Sequence, residues 1–240
     1  MKPLGRFRAA AGLSLVELLV GIAIGLFIVA GAATVLTAQL NDNRQLLLET
    51  QLQQDLRSAA DIVTRELRRA GYWASADHGV YAPDRQVERN GLTDLSTDVG
   101  GSGVGVSFRY QRESGADSFG FKLDNGVVRT KLAGSTGWQD LTDANTVRIT
   151  DFTVTQQSGP PVQLACPKAC PPPSGALPPG TTAANYCWPT FTVRDLVVTL
   201  TGQAVSDASV QRTLRSTVRL RNDRVQFNAD PTDPSQSCPA

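Results

Sequence analysis

An uncharged apolar stretch near the N-terminus restricts the possible folds of this chain more than any other feature of the sequence. From Leu18 to Leu40, 23 residues carry no charge and most are apolar. A helix of this length is about 34 Å long, which is enough to cross a hydrocarbon core of about 30 Å. The preceding residues 1–12 carry three basic side chains and no acid. Because basic flanks stay in the cytoplasm, the sequence predicts a single-pass membrane helix with a cytoplasmic N-terminus.

Three interpretations of this segment compete: a cleaved secretory signal, a plain signal anchor and a prepilin leader. Ala30-Gly31-Ala32 offers a secretory cleavage site, but the apolar run continues past it without a polar break. Glu17 lies at the beginning of the run, where an ionised carboxylate at membrane depth costs about 3 kcal/mol. A carboxylate retained at that cost favours an interpretation that gives it a function.

Gly12 is followed by Leu13-Ser14-Leu15-Val16-Glu17 and then by the apolar helix. This pattern resembles the class III signal of type IV pilins and type II secretion pseudopilins. The resemblance implies that prepilin peptidase cuts between Gly12 and Leu13 on the cytoplasmic side and methylates the new N-terminus at Leu13. It also implies that Glu17, at the fifth mature position, is the carboxylate required for assembly.

The chemistry of the segment agrees with that role. Cleavage frees an α-amine on Leu13, and a carboxylate of a neighbouring helix stabilises this cation where the dielectric constant is low. Gly21 and Gly25 form a small-xxx-small pattern that lets helices approach closely, although membrane helices are rich in glycine in any case. Proline is absent from residues 13–82, whereas many major pilins have a kinking proline in this helix. The sequence therefore disfavours a fibre-forming major subunit.

The remainder of the chain predicts an amphipathic helix followed by strands. Apolar residues spaced by three or four continue from Leu48 to Ala70, and Gly71 stops the helix. Alternating strands follow, including a hairpin at Asp124-Asn125-Gly126, with no helical pattern between them. We therefore expect an α+β fold in which a long N-terminal hydrophobic and amphipathic helix packs on a mainly antiparallel sheet, as in type IV pilins.

The predicted organisation has four parts along the chain. Residues 1–12 form the leader, 13–40 the transmembrane and assembly helix, 41–71 its amphipathic continuation, and 72–240 a periplasmic β domain with a Pro/Cys-rich insert at 159–189. Four later segments resemble PilW-type minor pilins, which share their plan with the J-type minor pseudopilins of type II secretion. These segments are LRRAGYW at 67–73, the stretches 103–111 and 138–154, and STVRLRN at 216–222.

Four cysteines lie on the predicted periplasmic side of the membrane: Cys166, Cys170, Cys187 and Cys238. In an oxidising compartment they indicate two disulfides, and three connectivities remain open. A zinc site is the alternative, but Cys187 and Cys238 lack paired ligands, so we expect no metal. The insert holds nine prolines and is expected to be an exposed loop, either a tip-exposed contact surface or a decorated surface loop.

The basic residues near the C-terminus leave nucleic-acid binding as a weaker hypothesis. Arg215, Arg219 and Arg221 share one face of a predicted strand, as phosphate-binding stripes do. The chain carries a net charge of only +1 and shows no aromatic ladder beside the arginines. We therefore expect a solvated face or an intersubunit salt-bridge surface, and we do not expect DNA as a partner.

The common enzyme motifs for nucleophilic, nucleotide and two-histidine metal chemistry are absent, and His78 is the only histidine. We expect a protein without enzymatic activity or cofactor: a minor type IV pilin that helps to initiate pilus assembly near the tip. Expected partners are prepilin peptidase, other minor pilins, the major pilin, the inner membrane and the assembly platform. The alternatives are a J-type minor pseudopilin and a tip adhesin or DNA-binding module.

Overall fold

The computed structural model describes a single long helix and eleven strands. The residues it describes are 12, 14–79, 88–97, 105–113, 115–173, 175–177, 179–226 and 238. Most of the predicted leader and Leu13 lie outside the described residues. By its internal contacts the chain divides into two compact units, residues 1–48 and residues 49–240. The four-part organisation predicted from the sequence remains a prediction.

Helix α1 runs without interruption over Leu15–Leu67, and a short 3₁₀ turn follows at Ala76–Gly79. Within residues 49–240 the helix buries one stripe whose members recur every three or four residues, as a helix packed on a sheet requires. The buried residues are Leu52, Leu56, Ala59, Ala60, Val63, Thr64 and Leu67. The stripe is buried from Leu52 to Leu67, where the helix ends, and the helix is unbroken through residues 41–43.

The strands form three sheets, and every pairing between them is antiparallel. The first sheet has the order β1-β2-β3-β4-β5, with β1 at Leu95–Ser96, β2 at Gly105–Arg112, β3 at Gly115–Asp124, β4 at Val127–Lys131 and β5 at Gln139–Asp140. The second has the order β10-β9-β6, with β6 at Val147–Ser158, β9 at Arg194–Ala204 and β10 at Gln211–Arg219. The third has the order β11-β8-β7, with β7 at Val162–Gln163, β8 at Thr190–Thr192 and β11 at Arg224–Gln226.

The β3–β4 hairpin turns where the sequence predicts it. Asp124 pairs with Val127 across the turn, and Asn125 and Gly126 have φ values of 53° and 82°. Two consecutive residues with positive φ are the requirement of a two-residue type I′ turn, which Asn-Gly satisfies. The hairpin confirms the local prediction and sets the register of the first sheet.

The core of residues 49–240 lies between the buried stripe of α1 and the inward faces of the first and second sheets. Phe108, Phe121 and Phe152 are at most 2% exposed, and Phe108 packs against Phe121 with ring centroids 6.3 Å apart. On β9 the even-numbered residues from Arg194 to Ala204 are buried, while most of the odd-numbered residues are partly exposed. This period of two is the pattern of a sheet with one covered face. The structure confirms the α+β fold with a long helix on antiparallel sheets.

Candidate functional site

The N-terminal part of α1 is apolar and exposed along its length. Every residue from Leu15 to Leu47 is exposed, including large side chains such as Phe27. The most apolar window has a mean hydropathy of 2.5, and none of it is buried. By length and composition this helix can cross a membrane, and it is compatible with a single-pass inner-membrane anchor.

Glu17, Gly21 and Gly25 follow one another at intervals of four residues within α1. Residues at this interval lie on the same side of a helix. Apart from the adjacent residues and the backbone of α1 itself, no atom of the described residues lies within 4 Å of a Cβ built on Gly21 or Gly25, so the backbone is open to a second helix on this side. This side of α1 therefore carries the Glu17 carboxylate in the first turn and a strip of two small residues, Gly21 and Gly25, in the next two turns. The shared side follows from the spacing alone.

The predicted cleavage site lies at the edge of the described residues. Gly12 is exposed, and among the described residues no atom lies within 4 Å of a Cβ built on it, while Leu13 is outside the described residues. Helix α1 begins at Leu15, so Gly12 precedes the regular hydrogen-bonded backbone. Cleavage between Gly12 and Leu13, methylation of Leu13 and the assembly role of Glu17 remain predictions.

The cysteines pair as Cys166–Cys238 and Cys170–Cys187, with Cα atoms 5.6 and 5.7 Å apart. This selects one of the three connectivities left open by the sequence. The first bridge joins residues 72 positions apart and the second joins residues 17 positions apart. No free thiol remains, and within the described part of the chain no group of His, Cys, Asp and Glu could hold a metal ion.

Hydrogen bonds hold the described residues of the Pro/Cys-rich insert, in addition to its disulfide. The Tyr186 hydroxyl donates to the Pro171 carbonyl at 3.1 Å, and Trp188 Nε1 donates to the Lys168 carbonyl at 3.0 Å. Among the large hydrophobic residues described in this segment, Val162 is the most exposed, at 58%. The insert is therefore surface-exposed and internally braced.

The arginines near the C-terminus do not form one uniform stripe. Arg212 points to the helix side and pairs with Glu49 at 2.6 Å, and Arg219 pairs with Asp223 at 3.5 Å. Arg215 is exposed and faces away from the helix, while Arg221 lies beyond the end of β10. Only Arg215 and Arg219 therefore share the outer face of the strand.

A polar cluster at the C-terminal end of α1 consists of Glu66, Arg69 and Tyr110. The Tyr110 hydroxyl donates to Glu66 Oε2 at 3.0 Å, and Arg69 Nη1 lies 3.2 Å from Glu66 Oε1. Burial raises the pKa of Tyr110, with its hydrogen bond to Glu66 acting in the same direction and Arg69 opposing it. Tyr110 and Arg69 border an open cleft of about 1100 Å³ that is also lined by Tyr72, Arg112 and Asp117.

Arg194, the first residue of β9, was not among the residues predicted from the sequence. Its side chain is 3% exposed and its guanidinium donates to the carbonyls of Thr93 and Asn222 at 2.5 and 2.8 Å. Burial lowers the pKa of Arg194, and the nearby Arg224 lowers it further, while Asp223 and Asp94 oppose both effects. A signal existed in the sequence, because Arg194 occupies the inward register of Leu196 and Val198.

These features define a class of protein: an α+β chain whose long helix begins as an exposed apolar segment and ends in the core of an antiparallel β domain. The family model of prepilin peptidase-dependent protein B, PpdB, matches residues 45–220. This is more than half of the chain, so the chain belongs to the prepilin peptidase-dependent protein B family. Comparison with curated proteins and with solved structures returned no significant match.

Family membership and the N-terminal motif are separate observations, because the matched range begins 28 residues after Glu17. The family is pilin-related in general, and its name links it to prepilin peptidase. Membership therefore supports a pilin-like or pseudopilin-like substrate of that peptidase.

Proposed function

We propose that this chain is a PilW-like minor type IV pilin that takes part in initiating pilus assembly and lies at or near the pilus tip. The observation that carries the proposal is the exposed apolar start of α1, which begins three residues after Gly12 and has Glu17 in its first turn. The family match over residues 45–220 supports it independently.

In this proposal prepilin peptidase removes residues 1–12 and N-methylates Leu13. The basic leader lies in the cytoplasm, the apolar part of α1 spans the inner membrane, and the β domain lies in the periplasm before the subunit enters the pilus. The two disulfides agree with a periplasmic domain, because such bonds persist in oxidising compartments. The proposal gives the chain no catalytic activity and no cofactor.

In this proposal Glu17 favours assembly with a subunit that can neutralise its charge. An ionised carboxylate in the membrane costs about 3 kcal/mol unless it is paired, so a neighbouring subunit that supplies a cation is favoured. The strip formed by Gly21 and Gly25 on the same side lets the partner helix come close enough for pairing. The proposed partners are other minor pilins, the major pilin and the assembly platform.

The test replaces Glu17 by Gln, which keeps the shape of the side chain and removes its charge. We expect normal cleavage after Gly12 in intact-mass analysis, together with loss of pili in a strain without other copies. Asp42→Asn is the matched control, because Asp42 is an exposed acid of the same helix, and it should leave piliation unchanged. Normal piliation of Glu17→Gln contradicts the proposed role. Loss of type II secretion with intact pili would reassign the chain to the J-type pseudopilins.

A further inference from the structure

Strand β10 forms a free edge of the second sheet. It pairs with β9 on one side over its whole length, from Gln211 opposite Gln203 to Arg219 opposite Asp195. The sheet order β10-β9-β6 places no described strand on its other side. With nine residues, β10 is much longer than the two-residue edge strands β1 and β5. The other edge of its own sheet, β6, has twelve residues, but there Ile149 N donates to Gly126 O of the first sheet at 2.8 Å. A long free edge is a template for pairing with another strand.

The register shows which backbone groups of β10 face outward. Ala204 N donates to Val210 O, and Leu220 N donates to Arg194 O, so the even-numbered residues of β10 hydrogen-bond to β9. In an antiparallel pair the alternate residues point their N–H and C=O groups away from the partner. Thr213, Arg215, Thr217 and Arg219 therefore present these groups at the edge. Among the described residues no backbone hydrogen bond reaches them from that side.

The charge of this strand selects the kind of partner. Residues 211–221 contain four arginines and no acid, and two of the four pair with acids outside the strand, Arg212 with Glu49 and Arg219 with Asp223. Full overlap of β10 with a second copy of itself would place Arg215 opposite Arg215, and like charges in that position are destabilising. A strand with carboxylates opposite Arg215 and Arg219 would instead form favourable cross-strand pairs.

We propose that the free edge of β10 binds an extended acidic segment of a partner protein by strand addition. The segment continues the β10-β9-β6 sheet through backbone hydrogen bonds to the odd-numbered residues, and its carboxylates, four residues apart, face Arg215 and Arg219. The arginines then have two effects, since they disfavour self-association and favour an acidic partner. This proposal concerns the β domain and does not depend on the assembly role of Glu17.

The test measures binding of a synthetic peptide to the full chain in detergent micelles by fluorescence anisotropy. The probe is a capped peptide of alternating valine and threonine with two glutamates four residues apart. The key variant is Thr217→Pro, which removes an outward N–H and leaves the hydrogen bonds to β9 in place. Thr217→Val is its matched control, because it keeps the N–H and changes only the side chain.

We expect saturable binding, weakened about tenfold by Thr217→Pro and by Arg215→Ala and unchanged by Thr217→Val. The bound peptide should also slow hydrogen exchange at the amides of Thr213, Arg215 and Thr217. If Thr217→Pro unfolds the chain, Thr213→Pro and the exchange measurement provide the same information.

Three outcomes overturn the proposal. The first is absence of saturable binding, and the second is equal binding of a peptide with lysines in place of the glutamates. The third is weaker peptide binding in Arg215→Ala but not in Thr217→Pro, with single-stranded oligothymidine displacing the labelled peptide as effectively as the unlabelled peptide does. This last result would show an electrostatic phosphate-binding surface rather than strand addition.

Discussion

Arg194 is a buried cation whose guanidinium joins two loops beside the end of α1, through the carbonyls of Thr93 and Asn222. Arg194→Met would leave both carbonyls without this donor in a buried environment. We expect a loss of about 3 kcal/mol in the free energy of unfolding. Urea denaturation of the full chain in detergent, followed by tryptophan fluorescence, measures this change.

The matched control for this substitution is Arg215→Met, because Arg215 is exposed on the same sheet. Its expected effect on stability is within about 0.5 kcal/mol. Equal unfolding midpoints for the two variants would show that Arg194 does not hold the loops together.

We expect the free energy of unfolding to depend on pH through the side chain of Tyr110. Burial raises the pKa of its phenol above the usual value of about 10, so folding favours the neutral form. The resulting stabilisation is complete below pH about 10 and is lost as the pH rises through the higher pKa of the folded state. We expect Tyr110→Phe to cost about 1 kcal/mol at neutral pH, through the lost hydrogen bond to Glu66, and to reduce the decline in stability above pH about 10.

Urea denaturation across this pH range checks the expectation, with Tyr72→Phe as the control because Tyr72 is 48% exposed. A decline of the same size in the wild type and in Tyr110→Phe would mean that other groups cause it.

At the scale of elements, the junction between α1 and the β domain depends on Gly71. Its φ is +75°, and an added Cβ would lie 3.3 Å from Asn222 Cβ and 3.6 Å from Arg194 Nη2. Gly71→Ala should therefore cost about 2 kcal/mol, from backbone strain and crowding together. Gly134→Ala separates the two causes, because Gly134 has a φ of +68° and no neighbour within 4 Å.

Thermal unfolding by circular dichroism compares the two glycine variants. Gly134→Ala reports backbone strain alone and should cost about 1 kcal/mol. The expectation for Gly71 is wrong if its variant unfolds at the same temperature as Gly134→Ala or above it.

Elements defined by local periodicity could be predicted, and elements defined by distant pairing could not. The buried stripe of α1 and the Asn125-Gly126 turn follow from local spacing and backbone preference. The third sheet has no such signal, because β7, β8 and β11 contain two or three residues each and meet only through long-range contacts such as Phe191 opposite Val162 and Val225. The disulfide connectivity could not be predicted either, because the spacing of the four cysteines allows three pairings.

Some residues of the candidate site could likewise be predicted from local spacing, and others could not. Glu17, Gly21 and Gly25 were identifiable because their spacing is local to one helix. The free edge of β10 was not, because it depends on which strands pair and on which alternate residues bond to β9. Arg194 was missed because its partners, Thr93 and Asn222, are distant in sequence.

At the scale of the whole molecule, the buried stripe of α1 begins at Leu52, whereas residues 15–47 are exposed. The core of the β domain therefore does not require the apolar segment. We expect residues 45–240, produced in an oxidising compartment so that both disulfides form, to fold in water without detergent. Their free energy of unfolding should lie within about 1 kcal/mol of that of the full chain.

A chain that starts at residue 60 is the informative contrast, because it lacks Leu52, Leu56 and Ala59 of the buried stripe. Loss of two buried leucines costs about 2 to 5 kcal/mol each, so this shorter chain should not unfold cooperatively. Near-ultraviolet circular dichroism and urea denaturation distinguish the folding of these two truncated chains. If residues 45–240 also fail to unfold cooperatively, the apolar segment contributes to folding, and its exposure could no longer be assigned to membrane insertion and assembly alone.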